Sequence, residues 1–226
     1  MKLIWHTKAP DQTHIKLYRG QSEDWPLLPK LFRPQNEPHK IEEVEDTVLD
    51  RFKNDSPFLL PSRPETDWDW LSLGQHFGLH TRLLDWSANP LTALFFAVER
   101  DSPSPTVFVY YAGKRQIVTD KEKQESSPFK IATTRIMQPS WHSTRVAMQA
   151  GWHTVHKFYK DEDGEPKVNP LGKMKLHSDR TKTISIVPDR VPRIRKELAD
   201  MGVRHATVYG DLQSVSRAIG GSLGLL

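Results

Sequence analysis

The sequence predicts a single mixed α+β domain, in which a largely antiparallel central sheet is flanked by helices. Three observations favour this fold class. Short β-rich runs, such as residues 106–111, occur between helical patterns such as residues 90–100. No internal repeat or clear linker divides residues 1–226. The composition, 37% hydrophobic and 27% charged, excludes collagen-like, coiled-coil and wholly disordered chains.

Local patterns predict each element of the first half. Apolar and polar residues alternate over 15–18, as in a half-buried strand, and this strand leads directly into Arg19. Asn89 followed by Pro90 predicts the start of a central helix, because the first residue is a good cap and the second suits the first helical position. In order, the predicted elements are a strand over 15–18, a surface helix over 38–54, a buried helix from its cap at Asp67 to Gly78, a turn or strand over 81–86, and the helix over 90–100.

The second half has fewer strong signals. Residues 106–111 are β-branched and aromatic and predict a core strand, whereas residues 114–129 are polar and predict a solvent-exposed connection. Val191, Ile194 and Leu198 share one face of a predicted helix. The remaining predictions are strands over 131–137, 152–159, 181–187 and 203–209, and a last helix that begins at Asp211.

The cysteine count and the hydropathy pattern indicate a compartment. The absence of cysteine excludes disulfides and thiolate sites and favours a reducing environment. No apolar run approaches the roughly 20 residues of a membrane span, and the first residues lack the apolar core of a signal peptide. We therefore expect a cytoplasmic protein without a membrane partner, of undetermined oligomeric state.

Charge is distributed unevenly along the chain. Residues 1–113 contain 12 basic and 16 acidic residues, whereas residues 114–226 contain 20 basic and 12 acidic residues. A basic half that includes Trp141 and Trp152 is typical of a nucleic-acid partner, and a solvated surface explains the same charges equally well. The basic residues concerned are Arg180, Lys182, Arg190, Arg193, Arg195, Lys196 and Arg204.

Three polar segments, residues 19–21, 75–86 and 145–151, lie within strongly apolar sequence and are candidates for chemistry. Arg19 offers a guanidinium fork that suits a phosphate or a carboxylate, and an ion pair with Asp85 is an equally good structural explanation. His76 and His80 have no third ligand at metal spacing, so we predict no metal site. The common nucleotide-binding and hydrolase motifs are absent.

The order of these segments resembles the FRG domain, a family named for an aromatic-Arg-Gly motif. The resemblance extends over roughly residues 15 to 220 and implies no single reaction. The matching segments are Tyr18-Arg19-Gly20-Gln21, Trp25-Pro26-Leu27-Leu28-Pro29, Gln75-His76-Phe77-Gly78, Thr81-Arg82-Leu83-Leu84-Asp85-Trp86, the helix that begins at Asn89-Pro90, and Arg145 to Trp152.

A second resemblance, to ADP-ribosyltransferases, implies NAD as a substrate. In those enzymes an arginine at the end of the first strand binds NAD, and here it corresponds to Arg19; a later polar strand corresponds to the segment from Thr81. Their catalytic glutamate corresponds to Gln149, whose amide can bond a ribose hydroxyl but supplies no charge. The resemblance therefore implies transfer chemistry at Arg19, Thr81 and Gln149, and NAD binding at Arg19, Gly20, Gln21, His76, Arg82, Asp85 and Trp86.

Three functions are compatible with these residues. The first is an NAD-type nucleotide site, with ADP-ribosyl transfer to a macromolecule in phage defence or mobile-element biology. The second is a non-catalytic module that binds nucleic acid or protein. The third is another enzyme, such as a hydrolase built on Asp85 and His76. We expect the candidate residues to converge on one cleft, and Asp85 to contact Arg19, Arg82 or backbone amides.

Overall fold

A six-stranded antiparallel sheet lies at the centre of the computed structural model, which describes residues 10, 12–33, 41–140, 144–164 and 166–222. The strand order is β4-β5-β2-β1-β3-β8, and a separate hairpin pairs β6 with β7. The sheet and its flanking helices confirm the predicted α+β class. The strands are β1 (Thr13–Gln21), β2 (Leu83–Ser87), β3 (Thr106–Gly113), β4 (Arg135–Met137), β5 (Gly151–Val155), β6 (Tyr159–Lys160), β7 (Pro166–Lys167) and β8 (Thr181–Ser185).

Helices surround this sheet, and short 3₁₀ turns connect several of the elements. Within the described residues, no helix has both the length and the apolar character needed to cross a bilayer. The helices are α1 (Ile41–Asp55), α2 (Asp67–His76), α3 (Pro90–Val98), α4 (Asp120–Glu125), α5 (Thr144–Met148), α6 (Lys175–Ser178), α7 (Val191–Asp200), α8 (His205–Tyr209) and α9 (Leu212–Ser222).

The ends of the two buried helices are set by their caps. Helix α3 begins as predicted, because the Asn89 side chain accepts a hydrogen bond of 2.9 Å from the backbone N–H of Leu91. The cap of α2 differs from the prediction: Thr66 accepts from the N–H of Asp69 at 3.2 Å, and Asp67 instead forms an ion pair of 2.7 Å with Lys53. The threonine places its hydroxyl at the first free N–H groups, so it caps the helix one residue earlier.

One prediction for the second half is wrong, and another is incomplete. Residues 203–209 were expected to form a strand, but His205–Tyr209 is a helix that ends at Gly210, whose φ is +65°. The rings of His205 and Tyr209 stack at 5.7 Å and pack on α3, a contact between residues four apart that only a helix provides. The connection over 114–129 is largely exposed, as predicted, but it also contains α4, whose buried Lys123 donates to the carbonyl of Gln138 at 2.7 Å.

Successive residues of the central strands pack on opposite faces of the sheet, as the period of two requires. On one face, Tyr18 and Val109 join a cluster with α3, α7 and α8. On the other, Leu17 and Phe108 pack with Trp86 and with the connections on either side. Helices α1 and α2 cover the ends of β2, β4 and β5 in a third cluster. The core therefore extends over both faces of the sheet.

Gly20 allows α3 to lie directly on β1. A β-carbon at this position would lie 1.7 Å from the carbonyl oxygen of Ala93 and 2.6 Å from the backbone nitrogen of Ala97. No side chain can occupy that space, because both contacts are to the helix backbone. The glycine of the aromatic-Arg-Gly motif therefore has a packing role that fixes the helix against the strand.

Strands β1 and β2 are joined only at the level of Tyr18 and Ser87, the residue pair that defines their register. Beyond this pair, a side chain connects the two strands: the Arg19 guanidinium donates a hydrogen bond to the carbonyl oxygen of Asp85 at 2.7 Å. On its far edge β2 pairs along its whole length with β5, which places Asp85 directly opposite His153. We call the region between β1 and β2 beyond Tyr18 and Ser87 the seam.

Candidate functional site

A cleft of about 510 Å³ lies over the seam, between the end of β1, β2 and helices α3 and α5. It brings together most of the residues predicted for the site. A smaller cavity of about 110 Å³ adjoins this cleft. It shares Asp85, Trp86, Arg145 and Gln149 with the cleft and is also lined by His76. The predicted residues that line the larger cleft are Arg19, Gly20, Gln21, Asp85, Trp86 and Gln149.

Arg19 is held on both sides by hydrogen bonds. Its Nε donates to the side-chain oxygen of Gln21 at 3.0 Å, and its Nη1 donates to the Asp85 carbonyl across the seam. Gln21 is itself fixed, because its amide donates to the carbonyl of Trp25 at 2.8 Å. Burial, together with the nearby charge of Arg33, lowers the pKa of Arg19 to about 10, although Asp85 opposes the shift. The guanidinium therefore remains a fixed cation at neutral pH.

Asp85 presents a carboxylate to the cleft. Burial would raise its pKa, but the contact with His153, the charge of Arg19 and a hydrogen bond from Gln75 outweigh that effect and lower it to about 2. Its side chain is nevertheless 63% exposed, because the cleft is open above it. The predicted contact with Arg19 involves the backbone carbonyl of Asp85 rather than its carboxylate.

Two pairs of side chains hold the Asp85 carboxylate from below. Gln75 on α2 donates to Oδ1 at 2.5 Å, and Thr81 in turn donates to the side-chain oxygen of Gln75. Nδ1 of His153 lies 3.1 Å from the same Oδ1, at an angle too poor for a regular hydrogen bond, so this contact is mainly electrostatic. Nε2 of His153 lies 2.9 Å from the hydroxyl of the buried Ser72.

Gln149 lies between the cleft and the smaller cavity, where it has a buried donor without a partner. Its Nε2 atom is buried from solvent and makes no hydrogen bond within the described part of the chain. The backbone around it is fixed, because the Ser87 hydroxyl donates to the Gln149 carbonyl at 2.5 Å and accepts from the N–H of Asn89 at 2.9 Å. A buried unpaired amide at the edge of a cleft is a natural partner for a ligand oxygen.

The rim of the cleft is basic. Arg33, Arg100 and Arg145 line it together with Arg19, against the two carboxylates of Asp85 and Glu99. Arg145 stacks over the ring of Tyr209 at 4.7 Å, and the Tyr209 hydroxyl donates to Glu99 at 2.7 Å. Because Arg33 and Arg100 form no ion pair within the residues that the structure describes, the cleft carries an excess of positive charge.

His76 and Trp86 contribute in different ways. His76 lines the smaller cavity, where burial and the charge of Arg145 lower its pKa despite the opposing effect of Asp85, so the imidazole is neutral at pH 7. Trp86 is 3% exposed, and its indole N–H donates to Thr154 at 3.1 Å. Its ring therefore forms part of the core, and the residue also borders both cavities.

Two of the predicted residues line neither cavity. Arg82 lies in the core, where it forms an ion pair of 2.8 Å with the buried Glu45 and its guanidinium lies 3.9 Å from the ring centre of Phe158. Thr81 is also buried and reaches the site only through its hydrogen bond to Gln75. Residues close in sequence to Asp85 were expected to share its cleft, but they precede β2 and contact α1 and α2 instead.

Three basic residues of the second half make contacts within the chain. Arg195 pairs with Asp101 at 2.8 Å, and Arg193 pairs with Glu197 at 2.8 Å. Arg204 donates to the carbonyl of Ala199 at 3.0 Å. Trp141, which was considered with them, lies outside the described residues, and Trp152 packs against the core cluster that contains Trp86.

Sequence reasoning missed the residues that reach the site from a distance. Ser72, His153 and Tyr209 belong to three different elements, and Glu99 directly follows α3. His153 is not among the residues predicted for the site, because the pairing of β2 with β5 that aligns it with Asp85 has no local signal. Among the described residues, no group of three or more His, Asp or Glu side chains is arranged to hold a metal ion.

Comparison with known protein families gives a match over part of the chain. Residues 14–106 match the family model of the FRG domain. The match contains Arg19, Gly20 and Asp85 and ends before α5, which carries Arg145 and leads into Gln149. Neither the curated proteins nor the solved structures gave a match to the chain. These comparisons support the FRG domain and give no support to the resemblance to ADP-ribosyltransferases.

Proposed function

We propose that this chain, which contains an FRG domain, binds a nucleotide of the NAD type in the cleft over the seam. The observation that carries the proposal is the charge of the cleft: four guanidinium groups line it, against two carboxylates. Arginine forks bind phosphate oxygens with two parallel hydrogen bonds, so an excess of arginine favours a ligand with several phosphates. A volume of about 510 Å³ lies within the range of small-molecule sites.

The remaining lining residues suit the other parts of a nucleotide. Trp25, which is 47% exposed, and Phe96 provide aromatic surface on which a base can stack. The unpaired amide of Gln149 can donate to a ribose hydroxyl or a phosphate oxygen, which would satisfy it. In this arrangement Arg19 contacts the phosphates or the adjoining ribose, and Gln149 orients the sugar.

Binding is tested by calorimetry with NAD. We expect Arg100→Ala to weaken NAD binding by about 1.5 to 3 kcal/mol, the usual value of a hydrogen bond to a charged group. Arg100 is exposed at the rim, so this change leaves the fold intact. Arg193→Ala, which removes a cation paired with Glu197 outside the cleft, is the matched control and should leave the affinity unchanged. No binding of NAD at millimolar concentration would refute the proposal.

Catalysis is a further step of the same proposal. An ADP-ribosyl transfer would break the N-glycosidic bond of NAD, join the ribose C1 to a nucleophilic atom of an acceptor protein, DNA or RNA, and release nicotinamide and the proton of the acceptor. Such a reaction is expected for phage defence or mobile-element biology. Incubation with NAD labelled in its adenylate part, followed by separation of the three acceptor classes, tests this step. We expect label on one class and a lower rate for Gln149→Ala, because an amide that orients the ribose acts mainly in the transition state.

The alternative, a module that only binds nucleic acid or protein, predicts different results. Binding of DNA or RNA at low salt, with a steep loss as salt rises, together with no response to NAD, would favour it. Arg193 and Arg195 each form an ion pair within the chain, and binding of a phosphate would compete with these pairs. For a hydrolase built on Asp85 and His76, the lowered pKa values of both groups leave neither of them protonated at neutral pH, so the pair lacks a general acid.

A further inference from the structure

Tyr209, the last residue of α8, contacts three residues of the cleft without lining the cleft itself. Its ring packs edge-on against Phe96 at 5.9 Å between ring centres, and the Arg145 guanidinium lies over it, 4.7 Å from the ring centre. Its hydroxyl donates a hydrogen bond to Oε1 of Glu99 at 2.7 Å. One side chain of α8 therefore connects α5 with α3 and with the residue that follows α3.

The same side chain separates two opposite charges of the cleft. The cation of Arg145 lies over the ring face, which is the negative part of an aromatic system, and the Glu99 carboxylate is bound at the hydroxyl. Arg145 forms no ion pair with a carboxylate in the part of the chain that the structure describes. Burial and the hydrogen bond to Glu99 raise the pKa of Tyr209, although Arg145 opposes the shift, so the phenol stays protonated and remains a donor.

The fold holds Tyr209 and Glu99 in place without a ligand. His205, one turn earlier in α8, stacks on the Tyr209 ring with 7° between the ring planes, and its Nδ1 lies 3.6 Å from the same Oε1 of Glu99. Helix α8 ends at Gly210, and Met148 of α5 fills the space beside the Cα of this glycine. The Glu99 carboxylate is therefore held on the side of α8, and α8 itself packs against the helix that carries Arg145.

We propose that Tyr209 is a positioning residue that keeps Glu99 away from Arg145, so that the Arg145 guanidinium remains available for the phosphates of the nucleotide. Without the hydroxyl, the Glu99 carboxylate loses a hydrogen bond and is free to pair with the guanidinium, which binds carboxylates as well as phosphates. This inference rests on the proposed function. It gives α8, which lies outside the residues 14–106 matched by the family model, a part in the site.

The test measures the affinity of Tyr209→Phe for NAD by calorimetry at pH 7. Phenylalanine keeps the ring that packs on Arg145 and removes only the hydroxyl. We expect binding about tenfold weaker than in the wild type, the lower end of the effect of losing one hydrogen bond to a charged group. Tyr159→Phe removes a hydroxyl that is bonded to Asn169 outside the cleft, so this matched control should keep the wild-type affinity. An unchanged affinity in Tyr209→Phe would overturn the inference and leave the nucleotide site intact.

A second variant distinguishes positioning from general support of the fold. In a chain that already contains Glu99→Gln, no carboxylate at this position can neutralise Arg145, so adding Tyr209→Phe should change the affinity by less than about twofold. The same tenfold loss in both backgrounds would mean that Tyr209 only supports the fold, and it would overturn the inference. If the wild-type chain does not bind NAD, the proposed function fails and this inference fails with it.

Discussion

Replacing Gly20 by alanine should destabilise the chain far more than one methyl group usually does. The new β-carbon would lie 1.7 Å from the Ala93 carbonyl oxygen, whereas real contacts of this kind are at least 3.0 Å. The neighbouring atoms belong to the backbone of α3, so no side chain can rotate away and the helix itself must move by more than 1 Å. Overpacking of this kind costs about 3 kcal/mol, the upper end of the usual range.

Thermal unfolding followed by circular dichroism measures this effect. For a chain of this size, a loss of about 3 kcal/mol lowers Tm by about 6 to 12 °C. Gly172→Ala is the matched control, because no atom lies within 4 Å of a β-carbon at that position, and its Tm should equal that of the wild type. A Gly20→Ala variant whose Tm also equals that of the wild type would refute the argument that α3 requires a glycine in β1.

Two further predictions concern buried charged and titratable groups. Glu45→Ala should lower the free energy of unfolding by about 3 to 5 kcal/mol in urea titrations, because it leaves the Arg82 guanidinium buried without its partner. Glu125→Ala, at an exposed pair, should cost less than about 1 kcal/mol, and equal losses in the two variants would contradict the argument. Burial, with a smaller contribution from Arg180, lowers the pKa of His177 to about 4, so the unfolded chain binds a proton first as pH falls below 6.5. Stability should therefore decline between pH 6.5 and 4, by up to about 1.4 kcal/mol per pH unit for this group, and less steeply in His177→Phe; identical pH profiles of Tm would contradict the assignment.

The sequence predicts an element well where one local feature decides its conformation. The start of α3 follows from a cap and a proline that are adjacent in the chain, and the β-rich run of β3 has no competing helical pattern. Helix α8 is different, because the apolar pattern of a five-residue segment is compatible with both the helical period and the strand period. Its conformation depends on contacts of His205 and Tyr209 with α3, about 100 residues earlier in the chain, which no local pattern contains.

The candidate site was predictable in part for the same reason. The polar residues at Arg19, Asp85 and Gln149 interrupt apolar sequence, and this was enough to expect that they share a cleft. The position of Arg82 outside the cleft was not predictable, since its partner Glu45 lies on a helix 37 residues earlier in the chain. The support of Asp85 by His153 depends on the register between β2 and β5, a property of the assembled sheet rather than of either strand.

The seam also determines how a ligand and the stability of the chain influence each other. Strand β5 pairs with β4 and β2, and strand β3 pairs with β1 and β8, each over at least three residues. The two sets of strands meet through a single residue pair and the Arg19 side chain. A molecule that contacts Arg19 and Asp85 together would act as an additional crosslink at the least-bonded line of the sheet. Its binding energy would then slow amide hydrogen exchange in both sets of strands at once, including in residues that it does not touch.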